Sequence, residues 1–264
     1  MAEGTHRPRK RFGQHFLHDQ HVLRQLVAAI APQPGQRLVE IGPGRGALTD
    51  LLLDSGASLT AIEIDRDLAA QLRQRYAGHA NFRLVEGDAL HFDYGSLADT
   101  GEPLHLVGNL PYNLSTPLIF ALLEQRQVIA DMVFMLQKEV VERLAATPGS
   151  KTYGRLSVMV QYECQVESLF EVPPGAFFPP PKVDSAVVRL VPRATRQPVA
   201  ADPRHFAQLV NQCFQQRRKT LRNCLKPMLG AAGFEALSAP LDARPDTLAV
   251  ADFVTLSNQI LASR

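Results

Sequence analysis

Cysteine is scarce in this chain. Cys164, Cys213 and Cys224 are its whole complement in 264 residues. Three widely spaced thiols make neither a disulfide framework nor a Cys-x-x-Cys metal pattern. A disulfide-stapled secreted domain and a zinc module are therefore excluded. Long apolar runs are missing as well. None approaches the roughly 18–20 residues that span a bilayer, so no membrane partner is expected. The basic segment Met1 to Phe12 lacks the apolar stretch of a signal peptide. Nor is there an excess of charge of one sign, since 28 Lys and Arg stand against 26 Asp and Glu, a net +2. Bulk charge does not announce a nucleic-acid binder, and such a reading must rest on local clusters. Internal repeats and low-complexity tracts are absent. What is present is 45% hydrophobic and 20% charged, ordinary globular proportions that rule out a mainly disordered chain. The expected class is a reduced, cytoplasmic protein of enzyme size, with one large domain and a small appendage.

Short apolar runs alternate with helix-like stretches. Leu38–Ile41, Leu59–Ile64, Phe82–Val85, Leu104–Val107 and Asp131–Leu136 read as strands. Ala47–Leu53, Arg66–Tyr76, Pro117–Leu123 and Lys138–Ala146 read as helices. This alternation predicts an α/β fold, a mostly parallel sheet with helices on both faces. Near-continuous apolar strands agree with it. Gln165–Val172 and Ala186–Val191 then flank a proline-rich loop and predict an antiparallel hairpin at the sheet edge. Residues 193–202 read as a linker, and the chain from Pro203 onward reads as helical, with breaks at Gly230, Gly233 and Pro240. The expected domains are 1–192, catalytic, and 193–264, a linker and small all-helical domain.

The first chemical signal is Val39-Glu40-Ile41-Gly42-Pro43-Gly44-Arg45-Gly46, a strand entering a glycine-rich turn before a helix. Glycine lets a ligand approach the backbone closely. Glu63 ends the next strand, twenty-one residues beyond Gly42. That is close to the ~20 at which an acid holds ribose hydroxyls in nucleotide-binding folds. A carboxylate suits the task because it accepts from two vicinal hydroxyls at once. The neighbouring Asp65 reads as a solvated strand-end charge. Asp88, after the third strand, can accept from an adenine amino group. At this point NAD and S-adenosylmethionine both remain open.

Asn109-Leu110-Pro111-Tyr112, directly after the fourth strand, decides between them. The amino group of adenine, like an amide nitrogen, is a poor nucleophile because its lone pair is delocalised. Two acceptors that bind both N–H protons can draw that pair out of conjugation. The Asn109 side-chain oxygen and the Leu110 carbonyl are placed to do so, with Pro111 stiffening the turn and Tyr112 offering a stacking face. The loop Phe177-Phe178-Pro179-Pro180-Pro181-Lys182 reads as rigid, with exposed aromatics able to close over a flipped base. From Gln215 to Lys226 there are five cations, Arg217, Arg218, Lys219, Arg222 and Lys226, and no acid. They form a candidate RNA-binding helix face in an otherwise nearly neutral chain. A protein-amide methyltransferase would use a similar Asn-x-Pro-Tyr turn, but the basic stretch and the phenylalanine loop favour RNA. The intact Glu63, Asp88 and Asn109 argue against a non-catalytic RNA clamp.

Together these motifs make the chain resemble the KsgA/RsmA-type ribosomal RNA small-subunit adenine dimethyltransferases. The resemblance covers nearly the whole length. It runs through Arg11-Phe12-Gly13-Gln14-His15-Phe16-Leu17, Ile41-Gly42-Pro43-Gly44, Ile62-Glu63-Ile64-Asp65, Gly87-Asp88-Ala89 and Asn109-Leu110-Pro111-Tyr112-Asn113. It continues through Leu136-Gln137-Lys138-Glu139-Val140, Pro179-Pro180-Pro181-Lys182-Val183-Asp184-Ser185 and Arg217-Arg218-Lys219-Thr220. It implies a Rossmann-like catalytic domain and a small helical C-terminal domain. It also implies N6,N6-dimethylation of two adjacent adenines near the 3′ end of 16S rRNA in an assembling small subunit. S-adenosylmethionine would be the donor and S-adenosylhomocysteine the product, with no metal, and the enzyme a monomer. By position, His15, Leu17, Gly42, Glu63, Asp88 and Asn109 would touch the cofactor, and Phe177 would stack on the target base. The sequence departs from the family pattern at His15, where asparagine is common, and at Phe178, where a small polar residue is frequent. Erythromycin-resistance enzymes share similar motifs, but the C-terminal segment is similar to the small-subunit type.

Overall fold

The computed structural model describes residues 14–98, 101–229, 234 and 237–263. Arg11, Phe12 and Gly13 of the N-terminal motif, and the expected breaks at Gly230 and Gly233, lie outside the described residues. The chain divides into two compact units, one of residues 1–141 and 167–192, the other of residues 142–166 and 193–264.

The first unit is built on a seven-stranded sheet. Its strands in chain order are β2 (Arg37–Ile41), β3 (Ser58–Glu63), β4 (Phe82–Glu86), β5 (Leu104–Asn109), β6 (Ile129–Gln137), β7 (Cys164–Val172) and β9 (Ser185–Pro192). Their order across the sheet is β4-β3-β2-β5-β6-β9-β7. The ladders β4–β3, β3–β2, β2–β5 and β5–β6 are parallel, and β9 runs antiparallel to β6. The expected edge hairpin is therefore present, with β7 outermost. A separate two-stranded ribbon pairs β1 (Phe16–Leu17) with β8 (Phe177–Phe178).

The strand order reverses between β2 and β5. In open α/β sheets a ligand crevice lies outside the carboxyl ends of the strands at such a switch point. Gly108 lets β5 lie close against β2 at this point, because a Cβ there would run into the Ile41 carbonyl oxygen. The glycine-rich turn after β2 and the Asn-Leu-Pro-Tyr turn after β5 thus open onto one crevice. The helices α1 (Gln20–Ile30), α2 (Ala47–Leu53), α3 (Arg66–Arg75) and α4 (Ser115–Glu124) flank the sheet strands in sequence. Leu23 and Leu26 of α1 and Leu48 and Leu52 of α2 share a core with Leu38, Leu59 and Val107 of the strands. Each fully buried Leu of this kind contributes about 1.5–3 kcal/mol. Asp19 caps α1 by accepting from the His21 and Val22 amides, satisfying donors that a helix start leaves orphaned.

The second unit is helical. Helix α6 (Arg155–Glu163), α7 (Pro203–Gln215), α8 (Leu221–Leu225) and α9 (Val250–Ala262) supply its core. Val158, Tyr162, Phe206, Leu209, Leu225, Phe253 and Ile260 pack together there. Tyr153 secures it by donating from its hydroxyl to the Leu248 carbonyl, 3.0 Å away. Helix α5 (Lys138–Leu144) begins where β6 ends. The helices α1 and α6 have no counterpart in the sequence reading. In α6, β-branched Val158 and Val160 weaken the local helical signal, and buried contacts supply what propensity lacks. Cys164, Cys213 and Cys224 are buried thiols, and burial pushes the Cys213 thiol up to about 12. No helix among the described residues is long and apolar enough to cross a membrane.

Candidate active site

One pocket at the switch point is lined by His15, Leu17, Gly42, Glu63, Asp88, Asn109, Leu110, Pro111 and Tyr112. Every cofactor-binding position expected from the sequence faces it, together with the whole Asn-Leu-Pro-Tyr turn.

Its floor is the turn after β2. Gly42 has φ +68° and a Cβ there would meet no atom within 4 Å, so the space above its Cα is open. Gly44, at φ +58°, is approached closely by the Phe16 ring, 3.0 Å from where a Cβ would stand. Glu63 closes β3 and is only 4% exposed. Its carboxylate accepts from the Asp65 amide at 2.8 Å and from the Gly44 amide at 3.2 Å. Burial outweighs these bonds and raises the carboxyl to about 6, because desolvation disfavours the charged form. Asp88 follows β4, its side chain accepting from the Leu90 amide at 2.9 Å and lying 3.1 Å from His91 Nδ1.

Asp65 corrects the sequence reading. It is 0% exposed and caps α3 by accepting from the Asp67 amide at 3.1 Å. Gln14 Nε2 also donates to it, at 3.2 Å. A carboxylate at a helix N-cap replaces water with backbone donors, so this one is structural and not solvated. Glu40 is a pocket residue that the sequence reading does not single out. It is buried, lines the pocket and accepts from Thr49 Oγ1 at 2.6 Å. Burial raises it to about 8, with Glu63 a further repulsive charge. The signal that marks it is an acid inside an apolar strand immediately before the glycines.

Asn109 ends β5, and its Nδ2 donates to the His15 carbonyl at 3.0 Å. That bond fixes which way the amide faces and leaves Oδ1 for another donor. Leu110 donates its amide to the Met135 carbonyl at 3.1 Å, and its side chain is buried. The Pro111 carbonyl accepts from Ser115 Oγ and the Leu114 amide, both at 3.0 Å, tying the turn to the start of α4. The Tyr112 hydroxyl shares a 2.7 Å hydrogen bond with Ser185 Oγ, and burial raises its phenol. The His15 ring stacks on Tyr112, and its Nδ1 lies 2.7 Å from the Pro179 carbonyl. A carbonyl only accepts, so Nδ1 carries the proton in that bond.

The phenylalanine loop departs from its expected form. Phe177 is 2% exposed, inside the core opposite Leu17, whereas Phe178 is 57% exposed. Residues adjacent on a strand point to opposite faces, so only one of the two aromatics can be open. As it stands, Phe177 presents no face to a base without the loop moving.

The cations also differ from a simple helix face. Residues 216–219 are a turn between α7 and α8, and only Arg222 lies on a helix. Arg218 and Lys219 are exposed. Arg217 pairs with Asp246 at 3.2 Å and donates to the Ser150 carbonyl at 3.1 Å. Arg222 lies over the Phe234 ring, 5.3 Å from its centroid. The acid-free stretch in sequence thus receives an acid from Asp246 in space.

Comparison with known proteins adds the family. The family model described as "Ribosomal RNA adenine dimethylase" matches residues 5–261. "Ribosomal RNA small subunit methyltransferase A" of Pseudomonas aeruginosa is 58% identical over 255 residues, covering 97% of this chain and 95% of that protein. The protein of the same name from Acinetobacter baylyi is 54% identical over 259 residues, 98% and 94% of the two chains. Among solved structures, a dimethyladenosine transferase from Plasmodium falciparum superposes with a TM-score of 0.77 at 29% identity, covering 92% of this chain and 96% of that one. The 23S rRNA methyltransferase ErmE gives 0.72 at 26% identity, covering 93% and 99%.

Proposed function

The chain belongs to the ribosomal RNA adenine dimethylase family, and from that membership we propose its substrate, donor and residue roles. The enzyme is an rRNA adenine dimethyltransferase of the small-subunit type. It takes methyl groups from S-adenosylmethionine and places two on N6 of each of two adjacent adenines in the 3′-terminal hairpin of 16S rRNA. The substrate particle is the assembling small subunit, and the enzyme acts as a cytoplasmic monomer.

The observation that carries this reading is the convergence of Glu63, Asp88 and Asn109, from the ends of three parallel strands, on one pocket. The pocket fits the donor. Glu63 offers a buried carboxylate for ribose hydroxyls, Asp88 an acceptor for the adenine amino group, and the open space over Gly42 admits close approach to backbone. His15 and Leu17 line the same wall. When bound, S-adenosylmethionine supplies an electrophilic methyl group and leaves as a neutral thioether.

The protein's own task is to prepare the nucleophile. For the first methyl, Asn109 Oδ1 and the Leu110 carbonyl accept hydrogen bonds from the two N6–H groups, which localises the lone pair on nitrogen; for the second, the one remaining N–H bonds to one of the two acceptors. Because Nδ2 is held by the His15 carbonyl, the acceptor is oriented before substrate arrives, and preorganised dipoles of this kind stabilise the transition state without reorganisation cost. Tyr112 supplies a stacking face steadied by Ser185, and Pro111 stiffens the turn. No strong base is required, since the ammonium product is acidic and loses its proton to water. Stacking by Phe177 requires the loop to uncover its ring. The exposed Arg218 and Lys219, with Arg222, supply phosphate contacts, and Arg217 chiefly holds their turn.

The test is incubation with labelled S-adenosylmethionine and small subunits lacking these methyl groups, followed by nucleoside analysis. Label is expected in N6,N6-dimethyladenosine of 16S rRNA. No label there overturns the substrate assignment.

A further inference from the structure

A second cleft adjoins the catalytic pocket, and the two share Phe16, Leu17, Arg45 and Ala47. Phe16 is the partition. Its ring sits against Gly44 on one side and under the Arg45 guanidinium, 4.6 Å from the centroid, on another. The short ribbon pairs Phe16 with Phe178, and Phe178 lines only the second cleft. The facing wall carries Arg75, which donates to the Arg45 carbonyl at 3.0 Å and pairs with Asp50. Phe178, Arg75 and Asp50 line this cleft and not the catalytic pocket.

The cleft therefore sets a half-open aromatic ring beside the guanidiniums of Arg45 and Arg75, the latter paired with Asp50. An aromatic plane beside arginines is how proteins hold an unstacked base and its phosphate. The cleft also lies directly across Phe16 from the pocket proposed to take the target adenine. When one of two adjacent adenines reacts, its neighbour lies within one nucleotide of the catalytic pocket. We propose that this cleft binds the RNA nucleotide flanking the reacting adenine, its base stacked on Phe178 and its phosphate facing Arg45 and Arg75. The proposal rests on the RNA substrate argued above.

Single-turnover methylation of small subunits lacking the methyl groups tests it, with full-length Phe178→Ala and Phe178→Trp. Phe178 is exposed, so both variants are expected to melt within a few degrees of wild type. Wild-type turnover is the control: if it is absent, the substrate reading fails, whatever Phe178 does. With wild type active, Phe178→Ala should raise the half-saturating subunit concentration roughly ten-fold, the scale of one lost base–aromatic stack. The S-adenosylmethionine Kd should stay unchanged, and Phe178→Trp should return most of the loss. Half-saturation within two-fold of wild type for Phe178→Ala overturns the proposal. So does an equal loss in Phe178→Trp, or a parallel loss of cofactor affinity.

Discussion

The imidazole of His15 stacks on the ring of Tyr112, with centroids 5.5 Å apart and planes 25° from parallel. The same residue accepts from Asn109 through its carbonyl and binds the Pro179 carbonyl through Nδ1. One residue of the N-terminal segment thus meets both polar ends of the catalytic turn and the loop that follows Phe178. One face of Tyr112 is thus taken by His15, and the stacking proposed for Tyr112 would use the other.

His15→Ala is expected to slow methyl transfer about three- to ten-fold at saturating donor and RNA. An aromatic pair is worth roughly 0.5–1.5 kcal/mol beyond its area. His15→Phe keeps the stack and should recover part of the rate. Stopped reactions on a single turnover, paired with calorimetry of S-adenosylmethionine, separate this from a cofactor role. An unchanged rate with weakened donor binding would show that the ring serves the cofactor instead.

Asn109→Ala should reduce the single-turnover rate by about 10²–10³, the scale of losing one preorganised transition-state partner. RNA affinity should change little. The substitution also frees the His15 carbonyl, so donor affinity must be measured separately. A rate within a few-fold of wild type at saturation contradicts the role given to Oδ1.

Glu63→Ala should weaken S-adenosylmethionine binding by about 1.5–3 kcal/mol, ten- to a hundred-fold. The wild type should also show a pH dependence. Accepting from ribose hydroxyls with both oxygens needs the ionised carboxylate, and burial lifts its midpoint to about 6. Affinity is then full above that midpoint and falls as pH drops through it, approaching ten-fold per pH unit below. Calorimetry from pH 5 to 8 reads both effects. A flat profile together with wild-type affinity in Glu63→Ala removes the assignment.

Neutralising Arg218 and Lys219 together should lower the log–log salt slope of RNA binding by about 1.4–1.8, at 0.7–0.9 per phosphate contact. Arg217→Gln should behave differently. Its guanidinium is engaged by Asp246 and the Ser150 carbonyl, so the melting temperature should fall while the salt slope moves less than it does per residue in the double variant. A salt titration alongside thermal melts distinguishes the two. An unchanged slope in a folded Arg218/Lys219 variant removes this turn from the RNA interface.

The strands of the sheet and the ligand edge are legible in the amino-acid sequence by itself. The central parallel strands are mostly buried and read as near-continuous apolar runs, and the residues ending them are carried to the edge where ligands bind. Glu63 is picked out there by its spacing from Gly42, Asn109 by the Asn-Leu-Pro-Tyr turn, and Asp88 by its place just beyond the third strand. Their neighbours cannot be sorted in the same way. Asp65 reads in sequence like any charge after a strand, and only the start of α3 buries it as a cap. Phe177 and Phe178 are chemically identical neighbours. Pairing of the ribbon with Phe16 and Leu17 sends one into the core and the other to solvent, since alternation on a strand is fixed while its register is set by a partner far along the chain. Arg217 and Asp246, and His15 and Tyr112, are likewise distant in sequence. Composition and periodicity record what each residue prefers, but which acid neutralises a cation, or which ring covers another, is decided when the folded backbone brings separate segments within a few ångströms.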